Sequence, residues 1–179
     1  MVTRRALASE ALLPLNLIGS TVVAGRGSKG RGAYVAVERD ALRGLNDRVL
    51  SRAFRSGVSG FDVDEFLEQT HAAAERKVLE RIGLARRSGG LVVGIEAVAK
   101  ASAKATVILA ADLSGRSAAK IEGFEFLTGE ALGASAGMGW IGALAIQPQQ
   151  LAQDASYWLR VWYESALEAK EASREGTDE

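Results

Sequence analysis

The spacing of apolar positions changes several times along the chain, and each change marks a different kind of element. Over residues 11–37 the apolar residues come in short runs: Leu12-Leu13 with Leu15, Leu17 and Ile18, then Thr21-Val22-Val23, then Ala33-Tyr34-Val35-Ala36-Val37. Between the last two lies Gly25-Arg26-Gly27-Ser28-Lys29-Gly30-Arg31-Gly32. Runs this short, bounded by glycine, predict strands, two of which bracket a basic loop. Over 39–55, Leu42, Leu45, Val49, Leu50, Ala53 and Phe54 recur at near-helical spacing, with Arg43, Arg48, Arg52 and Arg55 between them. That pattern predicts one helix or two with arginines along an edge.

Residues 56–60 are small and polar and read as a hinge. Asp62 then stands at an N-cap, with Glu65 three residues on and Phe61 and Phe66 at the two positions of a hydrophobic staple. The stripe of Leu67, Ala74, Val78, Ile82 and Ala85 that follows predicts a helix to about Ser88, which Gly89-Gly90 stops. Beyond it the pattern alternates: strand 91–93, helix 95–103, strand 106–110, helix 115–121, strand 124–127, helix 130–134, strand 141–146. Alternating elements of this kind imply an α/β fold with helices packed over a sheet. Pro148 suits a first helical turn, and Leu151, Ala155, Trp158, Trp162 and Ala166 make a stripe for that sheet. Residues 174–179 read as a frayed tail.

Composition narrows the class. Of the 179 residues 47% are apolar and 25% charged, a globular balance. Without cysteine there is no disulfide, no thiolate nucleophile and no cysteine-held zinc or iron–sulfur cluster, which fits a reducing cytoplasm. The run around Leu12–Ile18 is interrupted by Glu10 and Asn16 and reads as a buried strand rather than a secretory leader. No apolar run reaches the roughly 18 residues of a membrane span. Net charge is zero but unevenly placed: residues 1–60 hold ten Lys/Arg against four Asp/Glu, and 61–179 hold twelve against eighteen. A basic segment of net +6 ahead of an acidic one of net −6 suits contact with a polyanion.

Several motifs fail their structural context. Gly25, Gly27 and Gly30 match a dinucleotide fingerprint, but a strand rather than a helix follows, and Arg31-Gly32 stands where a phosphate-binding loop needs Lys-Ser/Thr. Gly133-Ala134-Ser135-Ala136-Gly137 matches a hydrolase elbow, whose histidine must come later in the chain; the single histidine, His71, comes earlier. Ser117-Ala118-Ala119-Lys120 lacks its companion motifs. His71 has no second ligand at metal spacing and reads as a packed or surface histidine. No catalytic residue, metal or cofactor is expected. Trp158 and Trp162 share a helix face and read as core or partner interface before base stackers.

The basic loop differs in kind. Its glycines let backbone approach a ligand closely, Arg26, Lys29 and Arg31 supply phosphate donors, and Tyr34 adds a π-face just beyond. Lys29-Gly30-Arg31-Gly32-Ala33-Tyr34-Val35, with Leu50-Ser51-Arg52-Ala53-Phe54-Arg55, resembles two segments of the bacterial YlxR family. That resemblance implies a small basic nucleic-acid-binding module over 1–58, although the cysteine-bearing start usual there is absent.

Gly83-Leu84-Ala85-Arg86-Arg87-Ser88-Gly89, Val92 to Val98, and Ala111-Asp112-Leu113-Ser114-Gly115-Arg116-Ser117-Ala118-Ala119-Lys120 resemble YlxQ and the kink-turn-binding ribosomal proteins, as does Leu132-Gly133-Ala134-Ser135-Ala136-Gly137. This implies a three-layer α/β/α sandwich over 61–172 after an α+β amino-terminal module, with 173–179 as tail. In that family a Gly-x-Asn-Glu segment meets sheared G·A pairs; here the asparagine position is Ile95 and only Glu96 is retained, and an isoleucine offers no hydrogen bond to a base edge. The function implied is that of a non-enzymatic, cytoplasmic RNA-binding accessory protein of translation, ribosome assembly or RNA processing. Its expected interface comprises Arg26, Lys29, Arg31, Gly32, Tyr34, Arg48, Arg52 and Arg55, with Arg86, Arg87, Gly94, Glu96 and Lys120 in the second module. The expected partner is structured RNA, with the ribosome or RNA-processing machinery beyond it and no membrane. The alternatives are a nucleoid-type DNA-binding regulator and a protein-interaction module docking through Trp158 and Trp162.

Overall fold

In the computed structural model, residues 11–25, 32–101, 104–147 and 149–167 are described. Strand β1 (Leu12–Ile18) lies between β2 (Thr21–Ala24) and β3 (Gly32–Ala36), antiparallel to both. Alternation sorts their side chains. Leu13, Leu15, Val22, Ala33 and Val35 are buried, while Gly32 and Tyr34 point the other way and are exposed. Pro14 is tolerated in this middle strand because pairing with β2 ends at Leu15 and Ala24, and Pro14 meets that side only through its carbonyl, which accepts from Gly25 N–H at 2.8 Å. The strands bracketing the basic segment are therefore not paired with each other. Gly25 and Gly32 lie on opposite sides of β1.

Helices α1 (Arg39–Arg43) and α2 (Asp47–Phe54) follow. The expected hinge at 56–60 is instead pinned. Ser51 Oγ both accepts from Val58 N–H at 2.8 Å and donates to its carbonyl at 3.2 Å, and the Asp47 carboxylate accepts from Gly60 and Phe61 N–H at 2.9 and 2.8 Å. Small polar residues suggest freedom only while their backbone groups lack partners; here α2 supplies them and Val58 is buried. Helix α3 (Val63–Arg87) starts as its sequence predicts: Asp62 Oδ1 accepts from Asp64 and Glu65 N–H, and the Phe61 and Phe66 rings lie 5.5 Å apart.

The second sheet contains β4 (Leu91–Val93), β5 (Thr106–Ala110), β6 (Phe124–Phe126) and β7 (Ala143–Ile146) in the order β4-β7-β5-β6. Strand β7 is antiparallel to both neighbours, and β5 and β6 are parallel. Because side chains alternate, Ile108, Ala110, Leu144 and Ile146 pack against α3, α6 (Gly129–Ser135) and α7 (Gln149–Ser165). Leu109, Ala143 and Ala145 pack on the other face against α4 (Ile95–Ala99) and α5 (Gly115–Ala118). The fold is α/β, and this half is a three-layer α/β/α arrangement. Helices α4 and α5 are shorter than their sequences suggest. After α5 the chain must return to the sheet, and at Gly123 it passes so close to Val107 that a Cβ would come within 2.6 Å of Cγ1.

The two cores share a pair of helices. Phe66, Leu67 and Ala74 of α3 and Val161 of α7 belong to the core of the first sheet. Val78, Ile82 and Ala85 of α3 and Ala152, Ala155 and Leu159 of α7 belong to that of the second. Trp158 and Trp162 touch both. Trp162 stacks on His71 at 4.8 Å and meets Phe126 edge-on at 4.9 Å. Arg39 N–H donates to Glu164 Oε2 and Tyr157 Oη to the Leu12 carbonyl, both at 3.0 Å. A chain cut at 58–61 would leave the amino-terminal sheet without the helices that close its core. Truncating Trp162 to alanine removes a side chain common to both cores and should cost about 3–5 kcal/mol. Urea unfolding followed by near-ultraviolet dichroism and by hydrogen exchange should show both sheets lost in one transition; two separate transitions would show the cores to be independent.

Candidate nucleic-acid interface

Helix α2 is built to present arginine. Asn46 caps it, accepting from Val49 N–H at 3.1 Å, and Leu50 and Phe54 are buried. Arg48 and Arg52 are spaced i and i+4, which places them on the side of α2 away from Leu50 and Phe54, and Arg55 follows at the helix C-cap. All three are exposed, and no ion pair joins any of them to another described residue. Arg55 ends the helix in the left-handed region, at φ 51°, where its N–H donates to the Ser51 carbonyl. With Leu17, Phe54 and Ser56 it lines a depression of about 280 Å³.

The other side of the first sheet has no charge. Its outward positions are Leu12, Pro14, Asn16 and Ile18 on β1, Thr21 and Val23 on β2, and Gly32, Tyr34 and Ala36 on β3. Tyr34 is 66% exposed and Ile18 65%. The Asn16 amide donates to the Gly25 carbonyl and ties the start of the basic segment to β1. Arg26, Lys29 and Arg31 of that segment lie outside the described residues. Tyr34 and the α2 arginines therefore face opposite sides of the module. Arg55 shares its depression with Leu17 of β1, which follows Asn16, the partner of Gly32.

The second module's expected residues do not converge. Arg86 and Arg87 are exposed at the end of α3, ahead of β4, whereas Gly94 and Glu96 follow β4 at its other end. Gly94 takes a φ of 99° and its N–H donates to the Ala143 carbonyl at 2.9 Å, turning the chain into α4. Glu96 is exposed there, and Ile95 is partly buried in the packing of α4 on the sheet. Lys120 is exposed after α5. No family model matches the chain, and no curated protein is similar to it. A solved structure of a protein with unknown function from Bacillus halodurans C aligns with 46% of this chain and 96% of its own, at 23% identity and a TM-score of 0.43.

The side chains of the enzyme-like motifs hydrogen-bond locally. Ser135 Oγ donates to the Leu132 carbonyl at 2.7 Å at the end of α6, and Ser117 Oγ accepts from Ser114. His71 Nδ1 lies 2.9 Å from the Trp162 carbonyl oxygen. Trp158 and Trp162, read as core or partner interface, lie half-buried in the seam between the cores. Among the described residues no cluster of His, Asp and Glu is suited to a metal, and no helix is long and apolar enough to cross a membrane.

Sequence reasoning passed over Trp140, which is 57% exposed yet fixed. Its Nε1–H donates to Asp112 Oδ2 at 3.0 Å, and Asp112 Oδ1 accepts from Gly129 N–H at 2.7 Å. A Cβ on Gly129 or Gly142 would overlap the indole ring, so glycine at both positions is what seats it. The available signal was a lone tryptophan amid Gly137, Gly139 and Gly142, outside any periodic stripe. The Trp140 indole first, and then the Gly129 amide, hold the Asp112 carboxyl below the usual aspartate range. A carboxyl lowered on folding stabilises the fold above its ordinary value, about pH 4, and loses that contribution as pH falls through the lowered value.

Two outcomes follow. Asp112→Ala should free the Trp140 ring, raising acrylamide quenching of the exposed tryptophan; in the unaltered chain the same rise should come only in acid, below about pH 4. Arg55→Gly removes a non-glycine residue from the left-handed region and should leave stability unchanged or raise it by up to about 1 kcal/mol in urea titration. A loss of more than that would mean the Arg55 side chain supports the fold.

Proposed function

We propose that the chain is a non-enzymatic RNA-binding accessory protein acting in the cytoplasm, in translation, ribosome assembly or RNA processing. The observation that carries this reading is the stripe of Arg48, Arg52 and Arg55, exposed on α2 with no carboxylate partner among the described residues. Unpaired guanidinium groups on one helix face cost the fold electrostatic repulsion and return nothing to it, while each can displace a counterion from a phosphate. The basic loop residues Arg26, Lys29 and Arg31 add to the same half of the chain, and Tyr34 offers an exposed ring. Contacts of this kind are made to backbone and unstacked bases, and they require no reacting group.

The test is a salt titration of binding to total cellular RNA. Replacing Arg48, Arg52 and Arg55 together by alanine should lower the slope of log affinity against log salt by about two to three, with Arg116→Ala on α5 leaving it unchanged. Association without a salt slope, or a slope untouched by the triple variant, would rule the reading out. Competition between duplex DNA and structured RNA separates RNA binding from a nucleoid-type role. Partners retained after nuclease treatment would favour a protein-interaction module.

A further inference from the structure

We infer that the ligand of the amino-terminal module is an unpaired RNA segment, bound with its bases on the outer face of the first sheet and its phosphates on the α2 stripe. The inference rests on the proposed RNA binding and adds which form of RNA is taken. Division of chemistry between the two sides of the module carries it. The outer face of β2-β1-β3 has nine outward positions and no charged residue among them; Ile18, Thr21, Gly32 and Tyr34 are exposed there and the other five are half-buried. The opposite side carries the exposed stripe of three arginines and no carboxylate within it. An uncharged face with an aromatic ring suits nucleobases; a row of guanidinium groups suits phosphates.

Tyr34 is placed to stack. It projects from β3 opposite Pro14, and its neighbours along the strand on that face are Gly32 and Ala36. Neither is large enough to cover the ring. A base can reach that ring only if its own π-face is free, as in a loop, a bulge or a single strand; inside a duplex both faces are taken by neighbouring bases. A duplex presenting phosphates to the α2 stripe also could not reach the far side of the sheet, because helix and sheet stand between. A flexible strand can pass round the end where Leu17, Phe54, Arg55 and Ser56 form a depression. Arg55 sits at that lip, in a backbone conformation that an arginine adopts at a cost.

Fluorescence anisotropy with the full chain distinguishes the forms. The probes are an unstructured uridine-rich oligonucleotide, a hairpin with an unpaired loop, and a blunt duplex of the same length. The single strand and the hairpin should bind at least about tenfold more tightly than the duplex. Tyr34→Ala should weaken single-strand binding between about fivefold and a hundredfold without changing the salt slope, and Tyr34→Phe should restore it. Arg55→Ala should weaken single-strand binding and lower its slope by about 0.7. Equal affinity for duplex and single strand, or a Tyr34→Ala loss of the same size on both, would overturn the inference and leave RNA binding standing. Failure of all three probes to bind would remove both.

Discussion

The packing of α3 on α7 is the contact on which the rest of this molecule depends. Neither sheet buries its inner face by itself. The first needs Phe66, Leu67 and Ala74 from the start of α3 and Val161 from the end of α7, and the second needs the other half of each helix. Trp158 and Trp162 lie where the halves meet, and Trp162 lies between His71 and Phe126. A side chain of this size buries some 150–250 Å² and links surfaces that separate, smaller residues would leave divided. Two modules that differ in charge and in strand topology are thereby held to one frame.

That frame decides what each side of the amino-terminal module can present. The described helices of the first core, α1, α2, α3 and α7, pack with Leu13, Leu15, Val22, Ala33 and Val35 on the inner face of β2-β1-β3, and Tyr34 and Ile18 are exposed on the other. Leu50 and Phe54 fix α2 against the core, and helical geometry then turns Arg48 and Arg52 outward, with Arg55 exposed at the helix end. The segment after α2 gives this arrangement its stiffness, because Asp47 and Ser51 hold residues 58–61 by their backbone groups. In the second module the equivalent economy of space appears at Trp140, which stands free of the surface only because two glycines and an aspartate leave it a seat. Ile95 belongs to the packing of α4 on the sheet.

Much of the architecture was legible from local chemistry. The cap at Asp62 with its Phe61–Phe66 staple, the period of α3, the β/α alternation after residue 90 and the bland character of the serine motifs all depend on neighbours within a few positions. The arginine stripe was legible for the same reason, since a helix converts spacing into a face. Where long-range contact decides, sequence reading went astray. The expected hinge at 56–60 is instead tied back to α2 through Ser51 and Asp47.

What the sequence determined by itself is the set of elements, the net positive charge of the first sixty residues against the net negative charge of the rest, and the lack of cysteine, because periodicity and composition are properties of the chain. What only the tertiary structure decided is which of those residues share a surface. Tyr34 and the α2 arginines are close in sequence and face opposite ways, Arg86 and Glu96 stand at opposite ends of β4, and Trp140 meets Asp112 across 28 positions. Strand order and helix docking make such neighbours through the burial of apolar faces, and that burial depends on which distant residues arrive to cover them.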